Sequence, residues 1–128
     1  MRCCVVAHCP LIAVVDDDDS VRESLGGLFR SVGFTARAFA SAAAFLQSDD
    51  LAKTDCVILD VRMPGMGGVE LQRRLVARHP ELPVIFMTAH DDARTRSQAL
   101  SGGAAGYLIK PFSEEALLDA VRGALGSP

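Results

Sequence analysis

The chain has 128 residues, 49% apolar and 23% charged, with a formal net charge of −3 and a pI near 5.5. That composition suits one domain with a real core and excludes a disordered or membrane-spanning chain. The acidic balance also argues against this chain gripping a nucleic-acid backbone itself.

Residues 1–10 read as an N-terminal extension. His8 and Pro10 interrupt its apolar run and acid follows, so a signal peptide is not expected there. No stretch reaches the ~20 apolar residues of a spanning helix, so a cytoplasmic location without membrane contact is expected. Cys3, Cys4, His8 and Cys9 match no zinc spacing and are expected to be a loose segment with reduced thiols.

The first strand, Leu11–Val15, runs into Asp16, Asp17, Asp18 and Asp19. Ser20 with Glu23 makes a capping box for the first helix. Val21, Leu25, Leu28, Phe29 and Val32 share one face of it, and Gly33 stops it. The second strand is Phe34–Phe39, and Ser41 caps a short helix carrying Ala44, Phe45 and Leu46. The third strand, Cys56–Asp60, is apolar up to its final carboxylate, with Cys56 as a core residue. After the turn at Met63–Gly68, a third helix over Val69–His79 buries Leu71 and Leu75, and Pro80 ends it. The fourth strand is Leu82–Thr88. The fourth helix, Asp91–Leu100, is weakly amphipathic, with Ala93, Ser97 and Leu100 as its inner face. The fifth strand, Ala105–Ile109, ends in Lys110 and Pro111. Ser113 opens the last helix, whose first turn holds Glu114 and Glu115, favourable to the helix dipole. Leu117, Val121, Ala124 and Leu125 bury it.

Strands alternating with helices predict a parallel α/β sheet. The C-terminal ends of such strands share one rim, where ligands bind. Asp16, Asp17, Asp60, Thr88 and Lys110 would meet there. Crowded carboxylates repel one another, and a few hard oxygens with room for water and phosphate suit Mg2+. A carboxylate beside that ion can attack phosphorus and become an acyl phosphate. A lysine and a threonine hydroxyl would bond the phosphoryl oxygens.

Val-Val-Asp-Asp, Leu-Asp-Val-Arg-Met-Pro-Gly-Met-Gly-Gly, Met-Thr-Ala-His and Tyr-Leu-Ile-Lys-Pro-Phe, in this order, resemble the receiver domain of two-component response regulators. The likeness runs from Leu11 to Leu125, within a domain spanning 11–126, and is greatest to the FixJ-like subfamily. The resemblance implies a doubly wound, five-stranded parallel sheet with five helices in the flavodoxin-like order 2-1-3-4-5. It implies Asp60 as phosphoacceptor, with Mg2+ held by Asp17, Asp60 and the Arg62 backbone carbonyl, and by Asp16 through a water. Lys110 would pair with the phosphoryl group, Thr88 would move to meet it, and Tyr107 would change rotamer after Thr88. The Lys110–Pro111 bond would be cis. Arg62 and His90 would sit where the family tunes phosphoryl lifetime. The implied partners are a sensor histidine kinase and a second copy of the chain, docking through the face made by the fourth helix, fifth strand and fifth helix. A DNA-binding output would lie outside this chain, which would catalyse only its own phosphorylation and dephosphorylation.

Two departures stand out. Four aspartates in a row leave the register open; Asp16 and Asp17 are assigned because they follow the strand directly. Gly67 stands where the family has a polar cap, so the third helix should begin without one.

Two other readings remain. Asp17, Asp19 and Val21 satisfy the Asp-x-Asp-x-Val signature of haloacid-dehalogenase-like phosphatases, which would use Asp17 as nucleophile. Such enzymes need a further acid at a strand end beyond the lysine, and only Glu114, Glu115 and Asp119 follow Lys110, all on the last helix. A phosphorylation-independent, receiver-like protein-binding module is the other.

Overall fold

The computed structural model describes residues 9–126. The expectations for Cys3, Cys4 and His8 therefore lie outside the described residues. Cys9 is disulfide-bonded rather than a reduced thiol; cysteine spacing alone does not report which sulfurs pair.

Five strands form one parallel sheet: β1 (Leu11–Val15), β2 (Thr35–Phe39), β3 (Cys56–Asp60), β4 (Val84–Thr88) and β5 (Gly106–Ile109). Their order is β2-β1-β3-β4-β5, as expected. The helices are α1 (Asp19–Ser31), α2 (Ala42–Leu46), α3 (Gly68–Arg78), α4 (Ala93–Ser101) and α5 (Glu114–Ala124), with a short 3-10 turn at Leu51–Lys53. Among the described residues no helix is long and apolar enough to cross a membrane.

The period-two alternation of the strands builds two cores. Ala13, Val15, Val57, Leu59, Val84 and Phe86 face Phe45 of α2, Leu71 and Leu75 of α3, and Ala99 of α4. Ile12, Val14, Cys56, Ile58, Ile85 and Met87 face Leu25 and Phe29 of α1, and Leu117 and Val121 of α5. Helices thus cover both faces, which is why the central strands are apolar without interruption.

Helix ends show where local signals act. Ser41 Oγ accepts from Ala44 N at 3.1 Å and Ser113 Oγ from Ala116 N at 3.0 Å, both as expected. Gly67 begins α3 with no side-chain cap. At α1 the expectation fails. Asp18, not Ser20, is the cap, its Oδ1 accepting from Ser20 N at 2.8 Å and Val21 N at 3.4 Å. An aspartate caps as well as a serine, and in a run of acids the earlier one captured the free amides. Gly33, at φ +97°, ends the helix, and the Phe34 amide returns to Phe29 O at 3.0 Å.

The inner face of α4 is not Ala93, Ser97 and Leu100. Ala99 is fully buried, while Leu100 is 51% exposed. One residue turns a helix by about 100°, and a segment this poor in apolar residues leaves its phase unmarked. A long-range contact sets that phase: buried Gln72 on α3 donates through Nε2 to Ala99 O at 2.8 Å.

Cys56 is a core thiol, as expected. Burial pushes its pKa up to about 12 from 9.0, with the Asp55 charge adding to the rise. Between these values the unfolded chain releases the proton and the folded chain keeps it, so stability falls as pH rises above 9.0, by ~1.4 kcal/mol per pH unit. Denaturation midpoints from pH 8 to 11 should therefore fall more steeply for the wild type than for Cys56→Ala. Parallel curves would contradict the buried, neutral thiol.

Candidate metal and phosphoryl site

The rim of the sheet is built by register. Val15 pairs with Leu59, Asp60 with Met87, and Thr88 with Ile109. Backbone bonds carry the ladder just past the strands: Asp16 N to Phe39 O at 3.1 Å, Val61 N to Met87 O at 3.2 Å and Lys110 N to Thr88 O at 2.7 Å. Asp16, Asp60, Thr88 and Lys110 therefore reach one edge on rigid backbone.

Lys110 sits between two carboxylates. Its Nζ lies 3.4 Å from Asp16 Oδ2 and 3.5 Å from Asp60 Oδ2. Asp16 is fully buried and its Oδ1 accepts from Asp18 N at 2.9 Å. Asp60 Oδ1 accepts from Arg62 N at 3.1 Å. Asp17 is exposed beside them, and one oxygen from each of Asp16, Asp17 and Asp60 falls within 4.8 Å of the others.

Burial holds the Asp16 carboxyl above its usual range, against the Asp18 amide and the Lys110 ammonium, which favour the charged form. One ammonium among three carboxylates leaves excess negative charge in a partly desolvated pocket, which draws a second cation. Three hard oxygens with one open side match Mg2+ rather than a soft metal. The donor set fits the expected ion.

Thr88 is buried at the rim, with its hydroxyl engaged by the loop that follows β4. Oγ1 accepts from His90 N at 3.1 Å and donates to His90 O at 3.2 Å, so it is spent on its own loop. Tyr107 packs against Phe86, ring centroids 6.2 Å apart, with the Arg96 guanidinium 5.5 Å from its ring. Its hydroxyl is buried without a hydrogen-bond partner among the described residues. The Lys110–Pro111 bond is cis. No acid follows Lys110 at a strand end: Glu114, Glu115 and Asp119 lie exposed on α5.

One participant escaped the sequence reading: Arg22, whose side chain bonds the Asp16 backbone. The spacing of Asp19 and Arg22, three apart on a helix, was the available signal for the arginine.

Comparison with known proteins agrees with this geometry. The family described as "Response regulator receiver domain" matches residues 12–122. Nodulation protein W of Bradyrhizobium diazoefficiens is 46% identical over 87% of this chain and 49% of its own length. Transcriptional regulatory protein FixJ of Azorhizobium caulinodans is 45% identical over 90% of this chain and 54% of its own length. The chain thus spans about half the length of the curated relatives it matches. Among solved structures, response regulator StyR superposes with a TM-score of 0.85 at 45% identity, covering 93% of this chain and 60% of that one. FixJ-N superposes with a TM-score of 0.83 at 31% identity, covering 93% of this chain and 95% of that one. The phosphatase and phosphate-free readings are not favoured, and the chain belongs to the response regulator receiver family of two-component signalling.

Proposed function

We propose that Asp60 accepts a phosphoryl group from a sensor histidine kinase and that the resulting charge is read out through α4, β5 and α5. One observation carries the reading: the Lys110 ammonium stands 3.4 and 3.5 Å from the Asp16 and Asp60 carboxylates, beside exposed Asp17. Asp17, Asp60 and the Arg62 carbonyl would hold Mg2+, with Asp16 reaching it through water. When bound, the ion neutralises charge on the phosphoryl oxygens. An Asp60 carboxylate oxygen attacks phosphorus as the bond to the donor breaks, and the leaving group takes the electron pair. Lys110 supports the second oxygen set by charge.

Thr88 then exchanges its His90 bonds for a phosphoryl oxygen. Tyr107 follows because its buried hydroxyl, unpaired among the described residues, costs about 1–3 kcal/mol where it is. The element that answers is α4, which has only one fully buried residue among the described ones and so shifts cheaply. Arg62 and His90, exposed at the mouth, adjust how long the phosphoryl group lasts. The receiver unit is taken as residues 11–126. The surface formed by α4, β5 and α5 is the dimerisation face, and a DNA-binding output lies in another part of the regulator; two longer relatives are named transcriptional regulatory proteins. The chain works in the cytoplasm, without contacting nucleic acid or membrane itself, and its only catalysis is its own phosphorylation and dephosphorylation.

Incubation with acetyl phosphate and Mg2+ should add one phosphoryl group to the intact mass, and a chelator should prevent it. A mass that stays unchanged in the presence of Mg2+ would overturn the reading.

A further inference from the structure

Four consecutive aspartates follow β1, yet they end in four different places. Asp16 is buried against Lys110, Asp17 is exposed at the metal pocket, Asp18 caps α1 and Asp19 points outward, its side chain 92% exposed. Like charges this close repel, and their order, which places Asp16 and Asp17 nearest the strand end, does not by itself hold them there.

Arg22, one turn into α1, touches both ends of the run. Its side chain is only 18% exposed; NH1 donates to Asp16 O at 2.6 Å, and NH2 pairs with Asp19. Asp16 is therefore held through its amide by Phe39, through its carboxylate by Asp18 N and Lys110, and through its carbonyl by Arg22. The guanidinium also draws Asp19 to the helix side of the loop.

We propose that Arg22 is a positioning residue for the metal pocket, sorting the acidic run so that Asp16 and Asp17 face the ion while Asp19 does not. This rests on the Mg2+ reading above. The direction of its effect is diagnostic. By Coulomb attraction alone, removing a cation near an acidic pocket tightens Mg2+ binding. Loss of a positioning group weakens it instead, by about 10- to 100-fold for partners that orient metal ligands.

The test is calorimetric Mg2+ titration of the wild type, Arg22→Met, Arg22→Lys and Asp19→Asn, with Asp18 amide hydrogen exchange followed by NMR without Mg2+. Arg22→Met should bind Mg2+ at least about 10-fold more weakly and exchange the Asp18 amide faster. Arg22→Lys should also weaken binding, because the lysine nitrogen ends about where the guanidinium carbon lies, one bond short of the NH1 that reaches the Asp16 carbonyl; it carries the test if the methionine variant fails to fold. Asp19→Asn, which keeps the carbonyl bond, should change affinity little. Unchanged or tighter Mg2+ binding in the arginine variants would overturn the proposal. Wild-type protein that binds no Mg2+, with Asp18 exchange still faster in Arg22→Met, would discard the metal reading and leave Arg22 as the organiser of the loop. Unchanged exchange would remove that role as well.

Discussion

Asp60→Asn is expected to abolish phosphoryl gain while leaving the fold intact. The amide is nearly isosteric, and its oxygen can still accept the Arg62 N–H that now reaches Asp60 Oδ1 at 3.1 Å. What disappears is the charged oxygen that attacks phosphorus and one of the carboxylates grouped with Asp16 and Asp17. Thermal stability should hold or rise slightly, since Asp60 contributes to the repulsion felt by buried Asp16. Intact mass after incubation with acetyl phosphate and Mg2+ should show no adduct. Lys110→Ala should retain the nucleophile but lose the ammonium facing it, slowing labelling by about 100-fold, the usual cost of one preorganised electrostatic contact. Asp17→Asn should weaken Mg2+ binding yet leave the label on residue 60. Labelling of Asp60→Asn at the wild-type rate, or a label mapped to Asp17, would reject Asp60 as the acceptor.

Gly68→Ala should be among the most damaging single-methyl changes in the chain. Gly68 opens α3, and its amide donates to Val61 O at 2.9 Å, pinning the helix to the end of β3. A Cβ there would lie 2.5 Å from Asp60 O, 2.8 Å from Leu59 Cδ1 and 3.0 Å from Val61 Cα. Two of these neighbours are backbone at and just past the end of β3 and cannot rotate away. Relief requires moving α3 or the strand end that carries Asp60. Alanine's better helix propensity, worth at most ~1 kcal/mol, opposes a strain of about 3 kcal/mol, the upper range for overpacking a tight contact. The urea midpoint should fall with its slope unchanged, and labelling of the remaining folded protein should slow. A variant as stable as the wild type would mean that the helix and strand do not approach as closely as these distances say.

Much of the molecule was legible along the chain because its signals are local. Cys56–Asp60 is apolar throughout and ends in a carboxylate, and β3 has those bounds. Leu71 and Leu75, four apart, marked the inner face of α3. Ser41 and Ser113 marked two helix starts because each is the lone capping residue at its position. Ser20 misled because several capping residues precede it, and Asp18 took the amides. Leu100 misled because α4 offers no second large apolar residue to fix its phase.

Five parallel strands, burial on both faces and the polar group at the end of four of the strands were legible along the chain, since alternation and strand length are properties of neighbouring residues. Tertiary structure alone decided which aspartate faces Lys110, which caps a helix and which pairs with Arg22, and where the Thr88 hydroxyl and the Ala99 face point. Those outcomes depend on partners from 2 to 94 residues away, where competition among chemically equal groups is settled by geometry.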